Sequence, residues 1–176
     1  DVYKRQAQVK LLITTNASKL DVSRLSELRD YLRTQIHVSI DATGDLYSYM
    51  RGYNFTWDQV NDKIQQLAEW KKGGKHTFHQ TLSLNGTYQL HNMLNLEDFY
   101  NWCLQYVTID HIEMRVLSSP KWLQARHATQ IIKQQAQQQL ERMQARYPDY
   151  QYFDDIALEL AADTYLPYQK KFVSWN

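Results

Sequence analysis

Ser39 and Asp41 stand two residues apart in the run HVSIDATGD, alternating with Val38 and Ile40. In an extended chain this spacing turns a hydroxyl and a carboxylate to one side and two apolar side chains to the other. A hydroxyl both donates and accepts, and a carboxylate only accepts, so the pair suits the hydroxyl groups of a sugar. Arg51 follows in the loop after that strand, a permanently charged planar donor able to grip a carboxylate through two parallel hydrogen bonds. Asn16 and Asn92 add amides that either meet a ligand or shape a turn or helix start. Each of these residues also has a plain structural use. Asp41 can cap the turn ATGD, Ser39 can fill a small core position, and Arg51 can pair with Asp45 or Asp58. Residue type alone leaves both uses open.

Other chemistry is easier to place. Cys103 is the only cysteine, so the chain has neither an intrachain disulfide nor a multi-cysteine metal site. Flanked by Trp102 and Leu104, it reads as a small core residue rather than a nucleophile. His76 and His79 lie three apart, which in a strand points them to opposite sides and makes poor metal geometry. No His/Asp/Glu trio has ligand spacing, and no metal ligand is assigned. Tyr47, Tyr49, Tyr53, Trp57 and Trp70 could stack on bases. With a net charge of +1 and no basic stripe they read as packing, and no nucleic-acid partner is expected.

The elements that must position these residues follow from periodicity. Val9–Thr15 is an apolar run without helical period, the pattern of a strand buried on both faces. Asp21–Thr34 reads as a helix with Leu25, Leu28 and Leu32 on one stripe. Ile36–Ile40 is a second strand, and ATGDLYSYMRGYNF a loop. Thr56 and Gln59 form a capping box for a helix carrying Val60, Ile64 and Leu67, which Gly73-Gly74 stops. A third strand falls within Thr77–Leu90, either continuous or turned at Asn85-Gly86. Asn95 caps a helix over Leu96–Val107, with Leu96, Phe99, Cys103 and Tyr106 on one side. His111–Leu117 is a fourth strand. A long helix over Thr129–Arg146 carries Ile132, Ala136, Leu140 and Met143 on its stripe, and two short helical segments lie near Phe153–Ala162 and Tyr168–Trp175.

The order βαβαβαβα predicts an α/β fold with parallel strands joined by right-handed crossovers. Ligands then belong at the carboxyl ends of the strands. The 176 residues suffice for one cored domain, with 43% hydrophobic and 22% charged residues. No apolar run approaches the ~20 residues of a membrane helix, and an intracellular, cytoplasmic setting is the expectation. Residues 1–6, DVYKRQ, carry no apolar period and match the translation of a sequencing-library transposon end. They are read as a scar, which makes 7–146 the body of the domain and 147–176 a helical extension, itself cut short.

TTNASKL after the first strand, HVSIDATGDLYSYMRG at the second and LSLNGTYQLHNMLNLEDFYNW at the third resemble the later part of the radical S-adenosylmethionine core. RVLSSPKWLQ matches its sixth strand and exit. The resemblance spans roughly residues 8–145. Ala17 and Ala42 stand where that family often has glycine. It implies a partial, TIM-like (β/α) barrel of which these are the later βα units. It further implies that S-adenosylmethionine binds through Ser39 and Asp41 on its ribose, with Arg51, Asn16 and Asn92 nearby. A [4Fe–4S] cluster would pass one electron to the cofactor to generate a 5′-deoxyadenosyl radical, and an external electron donor is expected. The cluster's CxxxCxxC ligands and the Gly-Gly-Glu element are absent here and are expected upstream, so the 176 residues alone are expected to be inactive. Likeness to members with a twitch-type extension points to a peptide substrate. Two other readings remain: an α/β enzyme for a nucleotide or sugar, without G-x-G-x-x-G or P-loop support, and a non-catalytic α/β module holding a peptide on its aromatic surface.

Overall fold

The computed structural model describes residues 10–28, 33–52, 55–73 and 80–162. Val9, Leu32, His76, His79, the six leading residues and the segment Tyr168–Trp175 lie outside them. Strands β1 (Lys10–Thr15), β2 (Arg33–Ser39), β3 (Gln80–Tyr88) and β4 (Ile112–Val116) alternate with helices. These are α1 (Val22–Leu28), α2 (Gly44–Arg51), α3 (Trp57–Lys72), α4 (Leu96–Cys103), α5 (Gln130–Arg146) and α6 (Tyr152–Ala161). The four strands form one parallel sheet in the order β1-β2-β3-β4. Neighbours in sequence are neighbours in space, so right-handed crossovers carry every connecting helix to the same side.

Strand pleat divides the residues between two faces. Thr34, Ile36 and Val38 of β2 align with Gln80, Leu82 and Leu84 of β3, and Leu84 and Gly86 align with Ile112 and Met114 of β4. All of these are buried, and they meet Val60, Ile64 and Leu67 of α3, Phe99 of α4, Ala136 and Leu140 of α5, and Phe153 and Ile156 of α6. Cys103 is fully buried in this core, which pushes its thiol well above the ordinary range. Glu159 of α6 is buried as well, its carboxylate taking the backbone N–H and the guanidinium of Arg126.

Several boundaries differ from expectation for identifiable reasons. β1 is not buried on both faces: Leu12 is 59% exposed, and its burial alternates along the strand. It pairs with β2 on one edge, and the face carrying Lys10, Leu12 and Thr14 is exposed. The first helix is described only over Val22–Leu28, and Thr34 belongs to β2, where its paired backbone outweighs the leucine stripe. ATGDLYSYMRG is not a loop, because Gly44–Arg51 forms α2. Gly44 enters it at φ 59°, and Gly52 closes it at φ 79° with its N–H on the Ser48 carbonyl, conformations that favour glycine. β3 runs unbroken through Asn85-Gly86. Gly86 is needed there, since a Cβ would stand 2.8 Å from the Ile40 carbonyl oxygen. α4 stops at Cys103, short of Val107, and Tyr106 lies beyond its end. The Thr56–Gln59 capping box forms as expected, with both reciprocal bonds. Among the described residues no helix is long and apolar enough to cross a membrane.

Candidate functional site

β2 and its exit place His37, Ser39 and Asp41 in a row on the face that the helices leave open. The sheet register sets Asn85 beside Ser39, Glu113 beside Asn85 and Arg115 beside Thr87. With Arg51 from α2 these residues line a cleft of about 440 Å³ at the carboxyl edge of the sheet.

Asp41 organises the mouth. Its Oδ1 accepts from the Thr87 N–H at 2.9 Å, and its Oδ2 lies 2.6 Å from Arg51 Nη2. Arg51 also donates to the Ser39 carbonyl at 3.3 Å. The carboxylate therefore neither caps ATGD nor leaves Arg51 to Asp45 or Asp58. It ties β2, β3 and α2 together, and the guanidinium expected to grip a ligand carboxylate already spends Nη2 on Asp41. Arg51 Nε is buried beside it without a hydrogen-bond partner among the described residues.

Asn92 is a brace under this arrangement. Its amide donates to the carbonyls of Asp41 and Thr87, and its Oδ1 accepts from the Gln89 N–H at 2.8 Å. It is 3% exposed and is not among the residues lining the cleft. Asn95 occupies the N-cap position of α4 without capping it, because its Oδ1 accepts instead from the Thr43 N–H at 3.1 Å. Asn16 shapes its own turn, its Oδ1 accepting from the Ser18 N–H and hydroxyl at 3.2 and 2.7 Å. It too lies apart from the cleft. The following Ala17 sits at φ 60°, where an alanine costs about 1–2 kcal/mol relative to the right-handed region. Of the two alanines at glycine-like positions, only Ala17 has a positive φ.

Sequence reasoning thus found three of the cleft residues, Ser39, Asp41 and Arg51, and missed His37, Asn85, Glu113 and Arg115. His37 was accessible to it, since it extends the Ser39–Asp41 alternation by one step. The other three required the register of β3 and β4. Glu113 and Arg115 pair at 3.0 Å. Among the described residues no group of three His, Cys, Asp or Glu side chains could hold a metal ion.

No family model, no curated protein and no solved structure matches this chain.

Proposed function

We propose that residues 7–146 are the later half of a radical S-adenosylmethionine partial barrel, and that the open face of the sheet is part of its interior. The carrying observation is the convergence of Ser39, Asp41 and Arg51, chosen from sequence, on one polar cleft at the carboxyl edge of a sequentially ordered parallel sheet. Two features of the cleft fit the cofactor's ribose. The Ser39 hydroxyl is a donor and acceptor on the floor, and the outer lone pairs of Asp41 remain available beyond its bonds to Thr87 and Arg51. Buried Arg51 Nε adds a donor that has no partner among the described residues.

Within this reading Asp41 holds the mouth rigid while it accepts from a ribose hydroxyl, and Arg51 keeps that carboxylate oriented. The cofactor supplies radical chemistry when reduced by a cluster. The donor set here does not fit that cluster: the single cysteine is buried in the helix-covered core. No chemical step is assigned to these residues alone. Their part is binding and shielding, and a peptide substrate, an electron donor and a cytoplasmic setting belong to the whole-protein reading.

Calorimetry of S-adenosylmethionine and S-adenosylhomocysteine with the 176-residue chain tests it. Saturable binding, weakened about tenfold or more in Asp41→Ala while circular dichroism is unchanged, is the expected result. Absent binding, or binding indifferent to Asp41→Ala and Ser39→Val, overturns the assignment.

A further inference from the structure

The floor of the cleft holds two buried polar atoms without partners among the described residues, His37 Nε2 and Asn85 Oδ1. Asn85 Nδ2 lies 3.2 Å from His37 Nδ1. An amide nitrogen only donates, so Nδ1 accepts and the neutral imidazole carries its proton on Nε2. The pair then leaves one donor, Nε2–H, and one acceptor, Oδ1, unsatisfied on residues that line the cleft. Turning the amide over exchanges the roles of the two residues, and one donor and one acceptor again remain. The polarity of the floor is therefore independent of how that amide is oriented.

Each such group left dry costs about 1–3 kcal/mol, and an apolar pair at these positions would avoid the penalty. A carboxylate offers acceptors alone and an ammonium donors alone, so either satisfies one floor atom and strands the other. The two residues are diagonal on neighbouring strands, His37 opposite Ser83 and Asn85 opposite Ser39, and their mutual contact stands between the two unsatisfied atoms. A group with its donor and acceptor on separate atoms spans that contact better than a single hydroxyl. At the rim, Glu113 and Arg115 neutralise each other and give the cleft no strong preference for either sign.

We infer that the His37–Asn85 floor is a subsite for a neutral amide, supplied either by a carboxamide side chain or by the backbone of a peptide. The inference rests on the preceding proposal only in calling that occupant the substrate.

The test is a chemical-shift titration of the isotope-labelled 176-residue chain with propionamide, N-acetylalanine methylamide, propionate and adenosine. Saturable movement of the Asn85 side-chain NH2 and His37 ring resonances by propionamide identifies a carboxamide ligand. The same movement by N-acetylalanine methylamide alone identifies peptide backbone. In either case propionate has no such effect, and Asn85→Leu and the isosteric Asn85→Asp each weaken binding about tenfold or more. No saturable shift with either amide, equal binding of propionate, a response to adenosine alone, or amide binding that survives both Asn85 variants overturns the inference. S-adenosylhomocysteine titrated into the same sample separates the two proposals. Amide binding without it sinks only the cofactor reading, and its binding without the amide sinks only the subsite.

Discussion

On one face of the sheet Ile36, Val38, Leu82, Leu84 and Ile112 are fully buried beneath helices, while the same strands turn Gln35, His37, Ser39, Asn85 and Glu113 to the other. Parallel sheets usually bury both faces, and their strands read as unbroken apolar runs. β2, with the sequence RTQIHVS, instead alternates as half-solvated antiparallel strands do. The difference separates packing from chemistry. The helix side holds the domain together, and the open side gathers donors, acceptors and an ion pair around a cleft at its carboxyl edge.

Adjacent residues of β2 give the sharpest test of that division. Ile36→Ala should cost about 2–5 kcal/mol by urea unfolding, since its side chain is fully buried. Gln35→Ala, one residue earlier on the open face, should stay within about 0.5 kcal/mol. Similar costs for the two would mean that the open face is covered as well, and the comparison would collapse.

The seam between the faces comes next. Asn92 joins Asp41, Thr87 and Gln89 through three hydrogen bonds, buried under the mouth of the cleft. Asn92→Ala leaves two carbonyls and one N–H without that partner, and about 2–3 kcal/mol of stability should go with it. The Arg51–Asp41 pair should loosen at the same time, seen as perturbed amide resonances at Thr87 and along α2. A loss confined to stability, with Thr87 undisturbed, would detach the brace from the site.

The sequence made the two faces unequally legible. Apolar stripes on α3 and α5, and the capping box at Thr56, announce helices whose interiors face a core, because burial imposes period on sequence. α2 lacked that signal: its start rests on Gly44 and on an asparagine 52 residues beyond Thr43, Asn95, which takes the Thr43 N–H. The leucine stripe of the first helix extended the expectation into Thr34, where pairing with β1 and β3 decides the conformation. At the cleft, Ser39 and Asp41 could be seen to share a side of one strand. Their neighbours Asn85 and Glu113 are brought there by inter-strand register, which no local pattern encodes. Partnership was hidden in the same way, as Asp41 with Thr87 and Arg51 shows.

The smallest expected effect lies on the open side at the entrance to β4. Burial pushes the His111 imidazole below its ordinary range, Lys71 and His37 push in the same direction, and Asp110 opposes them. Among the described residues these are the charged and titratable groups that act on it. A lowered folded-state value means that the unfolded chain binds the proton more readily below about pH 6.5. Stability therefore falls as the pH drops from there toward the folded-state value, with a slope of less than one proton per molecule. The urea midpoint of the wild type should decline more over that interval than that of His111→Gln, the difference isolating this ring from the other titrating groups. If both decline in parallel, His111 is as hydrated as in the unfolded chain. The open side would then reach water further down the sheet than the cleft, and the line between the two faces would have to be drawn nearer the core.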